Sequence, residues 1–374
     1  MSRQAWRHWS EGDVESCRLL ARTLPGRTRD HLLFLCEYVC QSYEQALAHY
    51  AALGAPRSLD EPVVEAWLHL GRPDRAVEHV RRRRREPSPV LERRLTHPLG
   101  VRLGESTVLP LADHELAPYL PAVPATIDGI DVLAHLDTGA PFVVLGPGRA
   151  AELGVQTFPG GRSHQGLRSA DSRHGTVAEL RLGAATLTNV PVTVLSTLTG
   201  AQDLVIIGTN VLRQFLTTLD QPGGRLVLSP RGSPCPAGTE VAFYLWSDHY
   251  MFARGGFGPH GLTFFVDSGL VYVADDPRGP RQASLLATSR RYRSWGVPRR
   301  LAGLPHFDSP SPISLGPLAR QDLLVAATRS RRTPWRSFGG VRIDAMLSNG
   351  FLRSYAWTLD FDRRRYVFRQ GEPR

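Results

Sequence analysis

The sequence predicts a multidomain α and β chain, with α-helical hairpins over residues 1–95 followed by a two-lobed all-β region. Three observations lead there. Apolar residues recur at helical spacing up to about residue 85, with almost no strand pattern. From Val101 the text changes to short runs of Val, Leu, Thr and Ile broken by Gly, Pro, Asp and Asn, the mark of strands and turns. Within that region AHLDTGAPF, Ala134–Phe142, has an echo in TFFVDSGLV, Thr263–Val271.

The helical part reads as helix, tight break, helix. In EAWLHLGRPDRAVEHV the apolar positions Trp67, Leu70, Ala76, Val77 and Val80 flank a Gly71-Arg72-Pro73 turn. WRHWSEGDVESCRLLARTL and YEQALAHYAALG repeat the pattern. The Leu-Gly-x-x-x-x-Ala spacing from Leu70 to Ala76 resembles tetratricopeptide-type hairpins, which implies a possible protein partner. A helical bundle packed on the rest of the chain fits the same pattern. No acid–base group stands in a motif here, so these helices are expected to be separable from any catalysis.

Composition narrows the partners. The chain has 374 residues, 42% hydrophobic, enough to bury a sizeable core. No apolar run is long enough to span a membrane and no export signal opens the chain, so a soluble, cytoplasmic protein without membrane attachment is expected. Net charge is +10 and every basic residue is Arg. The run Arg81–Arg85 closes a helical pattern, where positive charge suits the helix dipole. No zinc-ligand spacing or RNA-binding signature accompanies it, so nucleic acid is not the expected partner. Cys17, Cys36, Cys40 and Cys235 are too few and irregular for a disulfide framework.

The β region divides into lobes at residues 96–230 and 231–374, the break falling in the Pro- and Gly-rich Ser229–Thr239. Each lobe has the same order of features. Leu136-Asp137-Thr138-Gly139 is followed by DLVIIGTNVLRQFLTTLDQPGGRLVL, Asp203–Leu228. Val266-Asp267-Ser268-Gly269 is followed by DAMLSNGFLRSYAWTLDFDRRRYVF, Asp344–Phe368. An apolar pair, a small residue (Gly208 or Ser348), a Leu-Asp and a last strand recur in both. The order describes two copies of one unit.

These residues resemble the aspartic protease superfamily, with retropepsin-like units in tandem as in a two-lobed, pepsin-like enzyme. VLAHLDTGAPFVVLGPGRAAELGV resembles its catalytic strand and loop, and VIIGTNVLRQF its supporting segment. The resemblance implies an aspartic peptidase acting on a peptide or protein substrate, with Asp137 and Asp267 catalytic and no metal or cofactor. Such chemistry needs one carboxylate to take a proton from water and one carboxylic acid to serve the carbonyl oxygen. Two carboxyls about 3 Å apart share a proton and fill both roles. The resemblance makes Thr138 and Ser268 a cross-lobe hydroxyl pair, while Gly139 and Gly269 permit close backbone approach.

The second lobe departs from the pattern. Leu270 stands where Ala140 does, adding bulk near the active-site floor, and Ser348 stands where Gly208 does, beneath Asp267. The flap is expected near Gly166–Gly175, making Gly166 and Arg168 candidate substrate contacts with Arg173 close by. In YRSWGVPRRLAGLPHFDSP, Tyr292 and Trp295, with Phe307, are candidate cleft aromatics and equally packing aromatics. Two other functions fit the departures: acid–base catalysis on a small molecule by the same carboxylates, and an inert peptide-binding scaffold.

Overall fold

A computed structural model describes residues 1–165, 168–195, 202–275, 279–330 and 333–370. Seven α-helices lie between Ser2 and Thr96. They pack as successive hairpins, among them Gly26–Val39 on Tyr43–Ala52 and Asp60–His69 on Pro73–Arg82. At the last break Gly71 adopts φ +68°, open to glycine at no steric cost, and Pro73 begins the next helix where its missing N–H is not needed. Among the described residues no helix is long and apolar enough to cross a membrane.

The β region holds two lobes of one topology. In the first, Ala122–Ile127 and Ile130–Leu136 form a hairpin. Ile130–Leu136 then runs parallel to Val205–Ile207, which Val143–Leu145 meets antiparallel before pairing parallel with Ala185–Leu195. In the second, Tyr250–Phe257 and His260–Asp267 form the hairpin. His260–Asp267 runs parallel to Ala345–Ser348, and Leu285–Thr288 links that strand antiparallel to Leu324–Thr328 in parallel.

Six strands join the lobes, in the order Thr107–Pro110, Arg225–Pro230, Phe215–Asp220, Tyr355–Asp360, Arg365–Gln370, Thr239–Trp246. Thr218 lies opposite Thr358 at the centre, their hydroxyls 2.7 Å apart. On either side the sequence repeats its own contacts. Asp220 accepts from Gly223 N at 2.8 Å and Arg225 Nε at 2.9 Å, and Asp360 accepts from Arg363 N and Arg365 Nε, both at 3.0 Å. The Leu-Asp of each tail therefore anchors the turn to its final strand, and the sheet is a pseudo-twofold axis in the backbone.

The helices are not a detached module. In His260–Asp267 the residues Leu262, Phe264 and Val266 face the core shared by the lobes. Phe265, with Phe252, Leu286, Met346, Trp335 and Phe338, packs instead into one cluster with Trp9, Phe34, Tyr38 and Val39 of the helices. Trp9 Nε1 also donates to Gly339 O at 3.0 Å. They cover the outer apolar face of the second lobe, a contact that the expectation of separable helices did not include.

Candidate active site

Each Asp sits where a parallel strand pair ends. Asp137 N donates to Ile207 O at 3.1 Å, and Asp267 pairs in register with Ser348. The chain then turns sharply, so that Gly139 N donates to Asp137 Oδ1 at 2.6 Å and Gly269 N to Asp267 Oδ1 at 3.0 Å. Across the axis Thr138 N donates to Ser268 Oγ at 3.0 Å, and Ser268 N donates to Thr138 Oγ1 at 3.1 Å. Thr138 and Ser268 are each 1% exposed, which makes this reciprocal pair a dry clamp holding the two loops in register.

The clamp sets the two carboxyls close together on the axis. Each also lies over the other loop's glycine. A Cβ on Gly139 would stand 2.4 Å from Asp267 Oδ1, and one on Gly269 2.0 Å from Asp137 Cγ. Burial pushes the Asp137 carboxyl up, opposed by hydrogen bonds from the Gly139 amide and from Asp267. Burial, followed by the charge of Asp137, pushes Asp267 well above the usual carboxylate range. Two buried carboxyls so placed favour a single proton between them, and the titration belongs to the pair.

Gly208 and Ser348 support the loops by different means. A Cβ on Gly208 would meet Phe142 O at 2.3 Å and Ala140 O at 2.6 Å, so the first loop is pressed directly onto a bare backbone. Thr209 N and Asn210 N then donate to Ala140 O and Pro141 O at 2.9 and 3.1 Å. In the second lobe the loop leaves differently: seventeen residues separate Asp267 from Leu285, with a small hairpin of Val273–Ala274 and Arg281–Gln282 between them. Ser348 Oγ fills the space so released, donating to Ala283 O and accepting from Gly350 N at 3.0 Å. Leu270 turns its side chain into the cluster shared with the helices, which removes its expected bulk from the floor.

The first lobe carries a hairpin of Phe158–Gln165 and Arg168–Leu182 in the place expected for a flap, Gln165 opposite Arg168. Gly166 and the Arg168 side chain lie outside the described residues. Arg173 is not above the carboxyls: its guanidinium holds the flap base, donating to Thr157 Oγ1 at 2.7 Å and Thr157 O at 2.9 Å. In the corresponding span of the second lobe the described chain forms the short helix Arg299–Ala302 and then strand His306–Asp308, with no long hairpin.

Tyr292 and Trp295 are corrected by the structure. Tyr292 is fully buried, its OH donating to Leu285 O at 3.2 Å and its ring packed on Phe257, Trp295 and Phe307. Trp295 is buried in the same cluster. These aromatics build the second lobe's core and line no cleft, because helix Ser289–Ser294 turns them inward against its sheet.

Residues 123–211 match a family model described as aspartyl protease. The match supports kinship of the first lobe with the aspartic protease superfamily, and the second lobe lies beyond the matched residues. Among solved structures the chain is similar to a retropepsin-like aspartic protease from Rickettsia conorii, at 16% identity and a TM-score of 0.28, over 36% of this chain and 95% of that one. No curated protein matches the sequence.

Proposed function

We propose that this chain is an aspartic peptidase whose single site is built from both lobes. One observation carries the reading: two Asp-x-Gly loops, clamped reciprocally through Thr138 and Ser268, hold two carboxyls against each other's glycine so that one proton serves both. In this reading Asp137 takes a proton from a water lying between the carboxyls, and that water attacks the scissile carbonyl. Asp267 gives its proton to the carbonyl oxygen in the same step. The amine then leaves protonated, and the pair returns to its shared-proton state. An extended peptide beneath the one described flap hairpin gains backbone hydrogen bonds there and alternating side-chain pockets on either side.

The helices are read as part of this enzyme and not as a groove for a partner, since their apolar face is spent on the second lobe. The cysteines are all free, three of them buried, which suits a reducing, cytoplasmic setting. The test is cleavage of a peptide library between about pH 3 and pH 8 by the full chain. Asp137→Asn and Asp267→Asn should each abolish turnover nearly as fully as the double substitution, because neither role can be filled twice by one carboxyl. Full turnover by Asp267→Asn would remove the second lobe from the chemistry and the proposal with it.

A further inference from the structure

The first catalytic loop is joined to the helices by a chain of hydrogen bonds, whereas the second meets them by apolar packing. Thr209 is fully buried behind Ala140, three residues on from Asp137. Its backbone N–H donates to Ala140 O at 2.9 Å. The hydroxyl oxygen lies 3.0 Å from that same carbonyl and 2.9 Å from Asp248 O. A hydroxyl has one proton, and Asp248 O is the nearest of the three carbonyls in its reach, Pro141 O standing at 3.4 Å, so its hydrogen bond is assigned to Asp248 O.

Asp248 lies on the turn that the helices grip. Next to it Ser247 Oγ donates to Glu65 Oε1 at 2.6 Å, and Tyr38 OH donates to the other oxygen of Glu65. His69 Nε2 lies 3.4 Å from Asp248 Oδ1, and its ring stacks on Tyr43 at 4.8 Å. Arg213, one helical turn beyond Thr209, closes the set, with Nη1 2.7 Å from His69 Nδ1 and Nη2 donating to Gln41 Oε1 at 3.4 Å. The corresponding residue of the second lobe, Asn349, donates from Nδ2 to Tyr119 O at 3.0 Å and so ties its loop to the first lobe. Hydrogen bonds reach the helices from behind the first loop through Asp248, whereas the second loop meets them through the apolar packing of Leu270 and Phe265.

From this asymmetry we infer that Thr209 is a positioning residue, through which docking of the helices on the Ser247-Asp248 turn sets the Asp137 loop. The inference rests on the proposed peptidase reading and extends it to regulation of the same site: whatever loosens the helices' hold on the Ser247-Asp248 turn loosens the Asp137 half of the dyad. The link is a chain of packed, hydrogen-bonded groups, and small displacements at a catalytic carboxyl have large kinetic effects.

The experiment uses the full chain. Thr209→Val should lower kcat about tenfold with KM nearly constant, and Thr209→Ser should restore it, since only the hydroxyl matters. Ser247→Ala should lower kcat in the wild type yet add nothing on the Thr209→Val background, because both substitutions cut one route. In parallel, amide hydrogen exchange read by mass spectrometry should speed up over residues 137–140 in Ser247→Ala and stay unchanged over residues 267–270. This arm needs no turnover. If no variant or wild-type protein cleaves any peptide and the exchange pattern still appears, the positioning link stands and the peptidase reading falls. Additive losses in the double variant, or exchange at residues 137–140 indifferent to Ser247→Ala, would overturn the link while leaving the peptidase reading in place.

Discussion

Substituting Gly269 by Ala isolates the geometry on which the proposed chemistry depends. The backbone there lies outside the left-handed region, so alanine meets no conformational penalty and the entire effect comes from one added carbon. That carbon would stand 2.0 Å from Asp137 Cγ and 2.2 Å from each of its oxygens. Ordinary contact begins at about 3.4 Å, so Asp137 or the Gly269 loop must move by about 1.4 Å. A misplacement of that size costs about 100-fold in rate, close to 3 kcal/mol of transition-state stabilisation. Overpacking costs about 1–3 kcal/mol of stability besides. Gly139→Ala presses on Asp267 at 2.4–2.7 Å, a slightly smaller overlap, and should fall in the same direction by less. The assay is kcat on a peptide identified by library cleavage, with thermal unfolding of each variant to show that it is folded at the assay temperature. Wild-type kcat in a folded Gly269→Ala protein would refute the reciprocal packing of carboxyl on glycine, and with it the claim that the dyad is set by these two backbones.

Three further outcomes follow from the same contacts. Because Asp267 holds its proton well above the usual range when folded, its contribution to stability is full below the ordinary carboxylate pKa and lost as pH rises through the raised value. Asp267→Asn has no such proton to lose, so its melting temperature should decline less than the wild type's between about pH 4 and pH 8. Gly208→Ser should cost about 3 kcal/mol, since its Cβ meets two backbone carbonyls, whereas Ser348→Gly should cost only about 1–2 kcal/mol for lost hydrogen bonds; chemical denaturation of both variants checks the contrast. A chain beginning at residue 96 exposes Phe252, Phe265, Trp335 and Phe338. At about 1.5–3 kcal/mol each this rivals the whole stability of a domain, so the fragment should be insoluble or unfolded, as solubility and circular dichroism would show.

The dyad was legible because its chemistry is local. Asp-Thr-Gly and Asp-Ser-Gly each follow an apolar run, and a supporting strand and Leu-Asp recur behind them in the same order, so duplication can be read from the residues alone. Tyr292 and Trp295 were not legible in the same way. An aromatic beside arginines and glycines suits a cleft rim or a core equally, and only the direction in which helix Ser289–Ser294 faces its sheet decides between them. Ser348 also escaped, since whether a hydroxyl fits beneath a loop depends on the course of residues 270–284, a span with no counterpart of equal length in the first lobe.

Where the helices dock had a signal in the sequence, carried by the two strands that lead to the aspartates. Ile130–Leu136 reads IDVLAHL, and its Leu133 is 38% exposed between buried Val132 and Ala134, as in a strand with one face toward water. His260–Asp267 reads HGLTFFVD, with every residue from Leu262 to Asp267 buried. Two copies of one fold unit should bury the same faces, so the continuous run in the second copy requires a cover that the first does not have. The helices supply it: Thr263, the counterpart of Leu133, is fully buried and its Oγ1 donates to Glu11 O at 2.7 Å, and Phe265 on the same face lies in their cluster. A duplicated strand that loses its alternation in one copy marks the side on which a further domain packs, and here that side belongs to the lobe holding Asp267. In the inferred link the same docking reaches Asp137 through Asp248 and Thr209, so the helices pack against one half of the site and meet the other through hydrogen bonds.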